Sequence, residues 1–318
     1  MARLFEIADG PAREVTGVDR FGEGGSTGLQ WLHVDGRDAG DHDWLAQCAS
    51  LPDMIRSALL ARETRPRTEF VDDGALVNLR GPGATPEDDP DPLTSIRFFA
   101  EQGRLISVSY RTSAALDPVI AKFLAGALDT PVDIIAEFAR EMSAQLDPKV
   151  AEMGDSVDFC ETRLDVKRAH AVRRRVSKLR SHAIAYRRFI VPQLHALERL
   201  SAVPADWIED DDRQHLREAM DRFARMAEEL EAVRERSALI SEELTDLRSE
   251  QMDRRGLLLW IVALVFLPVT FITGLLGMNV GGLPFQGNDG FWIVSATCAI
   301  IGLIVFGWFA HAHWVRDR

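Results

Sequence analysis

Two long stretches without a charge limit what this chain can fold into. Residues 256–276, GLLLWIVALVFLPVTFITGLL, number 21, and residues 291–310, FWIVSATCAIIGLIVFGWFA, number 20. As a helix each measures about 30 Å, the thickness of a bilayer's hydrocarbon core, so both are expected to span a membrane. Trp292 and Trp308 stand near the ends of the second, where amphipathic rings prefer the interface. Between Gly256 and Val315 the only acidic or basic residue is Asp289. Of 37 basic and 49 acidic residues, 35 and 47 therefore precede the first span, and the formal charge of −12 belongs to that part.

Arg254 and Arg255 precede the first span, Arg316 and Arg318 follow the second, and the loop between them has no Lys or Arg. The positive-inside bias then puts both termini in the cytoplasm and the loop outside. Pro268 frees one backbone carbonyl within the first span, which Thr270, Thr273 or a neighbouring helix is expected to help satisfy. The opening MARLFEIADG has no apolar run of useful length, so no signal peptide is expected. Cys48, Cys160 and Cys298 form no paired or metal-binding pattern and fit a reducing compartment.

The expected fold is an α+β cytoplasmic domain, an α/β sheet with flanking helices and then long helices, followed by two transmembrane helices. Residues 1–130 read as the α/β domain. Strand-like runs lie at 29–36, 67–81 and 95–110, the last a hairpin about Gln102-Gly103, and helical patterns at 41–49, opening at Asp41, and 52–62. The segment GPGATPEDDPDP, 81–92, reads as a solvated loop. Residues 131–205 read as a helical hairpin region: Thr130 caps a helix over 131–146, and a second helix runs from Asp147-Pro148 to about Leu200 with a kink near Pro192. Residues 206–255 read as a long stalk helix, 256–276 as transmembrane helix 1, 277–290 as an extracytoplasmic loop, 291–310 as transmembrane helix 2 and 311–318 as a tail.

The stalk carries apolar groups at Leu216, Met220, Phe223, Ala227, Leu230, Val233, Ile240, Leu244 and Leu247, broken by Ser237, at steps of three and four. That is a coiled-coil-like seam, continuous into the first span because no Gly or Pro interrupts it between Asp206 and Gly256. Such a rod needs other copies or the preceding helices against its seam. Residues 163–188 hold ten Lys or Arg, whereas 206–250 hold fifteen acids against seven Arg. A basic helix folded on an acidic one accounts for both runs, and the net charge repels phosphate backbones, so nucleic acid is not an expected partner.

Several copies side by side would enclose a pathway. One face of the first span then lines it: Met278 or Asn279, Gly274, Thr270, Leu267, Ala263, Leu259 or Trp260, Gly256, Asp253. Only Thr270 is polar between Asn279 and Asp253, which suits passage of a hydrated ion past greasy rings such as Leu267 that close by dewetting. The span's C-terminal carbonyls, with the Asn279 amide, make a cation-selective mouth without carboxylates. Gly277 supplies the turn, Gly281 and Gly282 allow close approach, and Met278 packs as an adaptable plug. On the residues alone, a Gly-rich hairpin loop with no ionic role is an equal reading.

Gly277-Met278-Asn279, preceded by LPVTFITGLL and placed before the last span, closely resembles the Gly-Met-Asn signature of the CorA metal-ion transporters. GMNVGGLPF looks like the ZntB-type zinc transporters of that family, and the acidic segment usual after the tripeptide in the magnesium channels is absent. The resemblance implies a homopentamer in a bacterial inner membrane, with a cytoplasmic funnel and a pore lined by the first span. It implies Asn279 as filter ligand and Asp253 as a second metal-facing group at the inner entrance, where five carboxylates could also relay protons. Gly256 departs from the bulky Met that magnesium channels often carry, which puts a hydrophobic gate there in doubt. Zn2+ is the implied cargo, with Mg2+, Co2+, Ni2+ and Cd2+ as others, and no resident cofactor.

His311 and His313 read as interfacial groups rather than ligands. No nucleotide-binding loop or catalytic motif occurs, so an enzyme is not expected. A Mg2+ or Co2+ channel and a non-conducting, membrane-anchored coiled-coil signalling protein are the competing readings.

Overall fold

The computed structural model describes residues 2–8, 10–17, 20–21, 28–48, 51–62, 65–84, 93–164, 168–278 and 289–316. The chain divides into two compact units, 1–241 and 242–318.

The first unit opens with β1 (Arg3–Ile7), β2 (Arg13–Val15), β3 (Leu29–Asp35), α1 (Ala39–Gln47), α2 (Asp53–Leu60), β4 (Arg67–Val71), β5 (Gly74–Pro82), β6 (Leu93–Glu101), β7 (Arg104–Ser109) and α3 (Leu116–Leu124). Its seven strands make one sheet in the order β2-β1-β3-β7-β6-β5-β4. Only β3 and β7 pair in parallel. The hairpin expected over 95–110 turns at Gln102-Gly103, where Gly103 takes φ +67°. The run at 67–81 is itself a hairpin, reversing at Asp72-Asp73. Segment 85–92 lies outside the described residues.

Helix α1 starts before Asp41, the expected cap. Asp38 is the cap, accepting the Gly40 N–H at 3.0 Å and the Asp41 N–H at 3.1 Å. Asp41 lies in the first turn, where its negative charge suits the helix dipole.

Both sheet faces are covered, which is why β3 is buried at every position but the last. On one face Leu32, Val34, Phe99 and Ile106 pack with Leu45, Ile55 and Leu59 of α1 and α2. On the other, Trp31 lies 5.0 Å from Phe5, 5.6 Å from Phe123 and 5.9 Å from Phe138, ring centre to ring centre.

Three helices follow: α4 (Pro131–Glu161), α5 (Ala169–Ser201) and the beginning of α6 (Asp210–Leu276). Thr130 caps α4 as expected, its hydroxyl accepting the Asp133 N–H at 3.0 Å. The expected break at Asp147-Pro148 does not occur. Pro148 sits on the exposed face, where water can meet the carbonyl it orphans, and Met142, Leu146, Val150, Met153 and Val157 bury an unbroken stripe opposite it. The chain turns instead after Glu161, and Pro192 lies inside α5.

On α6 the buried seam is Leu216, Ala219, Phe223, Met226, Leu230, Val233, Ser237, Ile240 and Leu244. Ala219 and Met226 replace the expected Met220 and Ala227, which gives strict alternation of three and four. Basic and acidic helices pair less simply than charge alone suggests. Arg187 of α5 meets Glu231 at 3.0 Å, but Arg236 of α6 holds Asp158 and Glu161 of α4.

Candidate functional site

The second unit holds the remainder of α6 and α7 (Gly290–Arg316). Both helices are long and apolar enough to cross a membrane, and almost no residue of their hydrophobic windows is fully buried in the single chain. Water does not tolerate such a surface; lipid or other protein must cover it.

Exposure is not uniform around these helices. On α6 the half-buried positions are Ile261, Val265, Pro268, Val269, Ile272 and Leu276, at helical spacing along one side. At 3.6 residues per turn, Ala263, Leu267, Thr270 and Gly274 lie on the opposite side. All four are exposed, as are Leu259, Trp260 and Asp253, while Gly256 is half-buried. Leu259 is 72% and Leu267 73% exposed. Helix α7 has its own half-buried stripe at Val294, Cys298, Ile301, Gly302, Val305 and Phe309. Each helix thus keeps one side sheltered within the chain, and the sequence-predicted stripe of α6 has no cover there.

The C-terminal end of α6 is followed by Gly277, whose N–H donates to the Thr273 carbonyl at 2.9 Å. A Cβ at Gly277 would stand 2.9 Å from that oxygen, so the turn needs glycine. Met278 is exposed just beyond. Asn279, Gly281 and Gly282 lie outside the described residues. Thr273 does not relieve the carbonyl freed by Pro268, which belongs to Leu264. Its hydroxyl donates to Val269 O at 3.0 Å and Thr270 O at 3.2 Å, over a turn further along the helix, because a hydroxyl reaches only carbonyls three or four residues back.

Trp292 and Trp308 are exposed, and Trp292 packs against Phe291 with ring centres 5.5 Å apart. His311 is exposed, whereas His313 lies outside the described side chains. Among the described residues no group of three or more His, Cys, Asp or Glu side chains could hold a metal ion.

A two-span membrane protein whose first span continues a long helix from a large α/β and helical unit is the class these features define. A family model described as "CorA-like Mg2+ transporter protein" matches residues 26–311. The zinc transport protein ZntB of Pectobacterium carotovorum is 30% identical over 90% of this chain and 88% of its own length. That of Yersinia enterocolitica is 29% identical over the same shares. Among solved structures, full-length CmaX is 28% identical, with a TM-score of 0.75 over 98% of this chain and 97% of its own. The complete CorA magnesium transporter of Methanocaldococcus jannaschii, at 16% identity, shares the fold with a TM-score of 0.78 over the same 98% and 97%. The chain belongs to the CorA-like family of metal-ion transporters.

Proposed function

We propose that this chain is one subunit of a homo-oligomeric transporter of divalent cations in the inner membrane, with Zn2+ its principal cargo. The assembly is a homopentamer with both termini in the cytoplasm. Residues 256–276 of each copy line the shared pore, and Gly277, Met278 and Asn279 form the outer mouth. Residues 1–130, 131–205 and 206–255 serve as sheet domain, helical hairpin and stalk. The observation that carries the proposal is the stripe Leu259, Ala263, Leu267, Thr270, Gly274, bare in one chain and opposite the side of α6 that the chain shelters.

The electrostatics follow from that geometry. Each α6 brings the negative end of its dipole to the mouth, and five together attract a cation with neutral oxygens that leave its water shell in place. Carboxylates there would hold a divalent ion too firmly to release it quickly. Asp253 of each copy concentrates cations at the inner entrance and offers a proton-accepting group, which makes proton-linked movement the expected mode. Zinc is favoured by the likeness to proteins named as zinc transporters over nine-tenths of the chain. The family description, which names Mg2+, supports a magnesium channel as the second reading.

Uptake of Zn2+ into proteoliposomes, with and without an inward proton gradient and with excess Mg2+, tests this. Uptake stimulated by the gradient, insensitive to Mg2+ and reduced by about an order of magnitude in Asn279→Ala is expected. Wild-type rates in Asn279→Ala would remove the mouth from the account, and full competition by Mg2+ would favour the second reading.

A further inference from the structure

Helices α5 and α6 run antiparallel in the first unit. Arg213, near the start of α6, donates to the carbonyls of Ser201 and Val203 at and just beyond the end of α5, the latter at 3.1 Å. Further along, Arg187 of α5 meets Glu231 of α6 at 3.0 Å. Each helix turns a buried seam inwards, Val172, Val176, Leu179, Ala183 and Ile190 on α5 and Leu230, Val233, Ser237 and Ile240 on α6. Two outer faces remain, and they are opposite in charge.

From Ala169 to Leu197, α5 contains seven Lys or Arg and no Asp or Glu. Arg175 and Arg187 find partners at the edges of the seam, Ser156 Oγ at 3.0 Å and Glu231. Lys178, Arg180 and Arg188, in the middle of the helix, are exposed, and their side chains make no hydrogen bond or ion pair among the described residues. Arg173 and Arg174 extend the same face, and Arg174 with Lys178 sets two like charges one turn apart. Ile184, 44% exposed, sits among them. Left in water, such a face repels itself.

On α6, Glu228 and Glu235 stand seven residues apart and opposite the seam, and both are exposed. Glu228 has no partner among the described residues, and Glu235 has only Arg234, 3.9 Å away. Arg234 is drawn to Glu231, and Arg236 to Asp158 and Glu161 of α4, so neither neutralises this face. Arg222 and Arg225 dilute the acid only towards the start of the helix. Leu239, 64% exposed, ends the stretch.

The two faces cannot meet in one chain, since each points away from its helix's buried seam. They can meet between chains. A ring of identical subunits needs a contact between two different, complementary surfaces, and an odd ring admits no other kind. Heights along the rod also agree. Arg187 lies level with Glu231, so Lys178 and Arg180 lie about level with residues 238–240, and rotation about an axis parallel to α6 keeps those levels. Arg188 of one copy then stands within a turn of Glu228 in the next, and Lys178 and Arg180 about a turn from Glu235, spans that long side chains cover. The chain's net charge of −12 favours this partner over a nucleic acid or an anionic membrane.

We propose that the basic face of α5 in one copy docks on the acidic outer face of α6 in the next, with Arg188 answered by Glu228 and with Lys178 and Arg180 answered by Glu235. The proposal rests on the homo-oligomer put forward above and names the contact that holds its first units together.

Cross-linking of the full-length chain in membranes tests it, after Cys48, Cys160 and Cys298 have been replaced. One copy carries Ile184→Cys and a co-expressed, differently tagged copy carries Ala232→Cys, both at exposed, uncharged positions, and a short bis-maleimide is added. A cross-linked pair bearing both tags is expected, and none when Ile184→Cys is set against Glu152→Cys on the exposed side of α4. Lys178→Glu/Arg180→Glu in every copy is expected to lower the yield about tenfold, and Glu228→Lys/Glu235→Lys added to it is expected to restore the yield. The protein without cross-linker is sized in mild detergent alongside. A monomer overturns this contact together with the homo-oligomer it rests on. An oligomer without the cross-link, or a yield indifferent to charge reversal, overturns the contact alone and leaves the homo-oligomer standing.

Discussion

His215 Nδ1 stands 2.7 Å from Asp133 Oδ1, a contact that joins the first turn of α4 to the second turn of α6. Around it the Thr130 hydroxyl donates to Asp212, and the Glu209 N–H donates to Asp212 Oδ2 at 2.8 Å. Burial, and then nearby Asp129 and Asp212, push the Asp133 carboxyl up to about 6 in spite of the imidazole, while its hydrogen bond to Asp133 raises His215.

Both groups hold protons more firmly folded than unfolded, so both favour the fold at low pH. For Asp133 that contribution is lost as pH rises from about 4 to about 6, and for His215 as pH rises beyond 6.5. Asp133→Asn should gain on the wild type by about 2 kcal/mol across the lower window, read as Tm or denaturant midpoint against pH. Parallel curves would show that the carboxyl does not titrate in this range.

His33 works in the opposite sense. Its ring is enclosed between Ser107 Oγ, 2.8 Å from Nδ1, and Ser109, and burial lowers its pKa to about 4. The Trp31 indole N–H already donates to the Ser107 oxygen at 2.8 Å, which suits a Ser107 hydrogen pointing at a neutral Nδ1. Below pH 6.5 the unfolded chain takes a proton that the folded one refuses, so stability falls by about 1.4 kcal/mol per pH unit down to about pH 4. His33→Gln should flatten that acid limb, and an unchanged slope would contradict the assignment.

Gly81 lets α4 lie against β5. A Cβ there would stand 2.8 Å from Met142 Sδ, with the Met142 side chain buried and unable to withdraw freely. Gly81→Ala should destabilise the chain by about 1–3 kcal/mol, and Gly81→Ala/Met142→Ala should recover part of the loss in a double-mutant cycle.

Much of this was legible in the residues. The two spans needed only length and absence of charge, and the hairpin at 93–109 followed from alternation and turn residues, whereas 67–81 read as a strand-like run and its reversal at Asp72-Asp73 was not anticipated. Helix ends were harder. Pro148 looks like a stop, but its position on the solvent side of a well-packed stripe is a tertiary fact that local propensity does not contain. Strand β1 and helix α3 were missed for the same reason: five and nine residues have too few periods to announce themselves before a sheet is there to bury them.

Asp253 is exposed at the N-terminal end of the candidate stripe, the end proposed to face the cytoplasm. If five copies focus cations there, Asp253→Asn should slow Zn2+ uptake about tenfold at low ionic strength, with the difference shrinking as salt is added. An effect independent of salt would assign Asp253 a role other than attracting the ion.

The most direct test of the shared pore uses single cysteines in a chain freed of Cys48, Cys160 and Cys298. Ala263, Leu267 and Thr270 on the bare stripe, and Ile261, Val265 and Val269 opposite, are replaced one at a time. Uptake of Zn2+ into proteoliposomes is then followed as a small, water-soluble thiol reagent is added. Block at 263, 267 and 270, with no block at 261, 265 and 269, is the predicted result. Equal reaction on both sides, or block confined to 261, 265 and 269, would contradict a pathway lined by the face identified on α6.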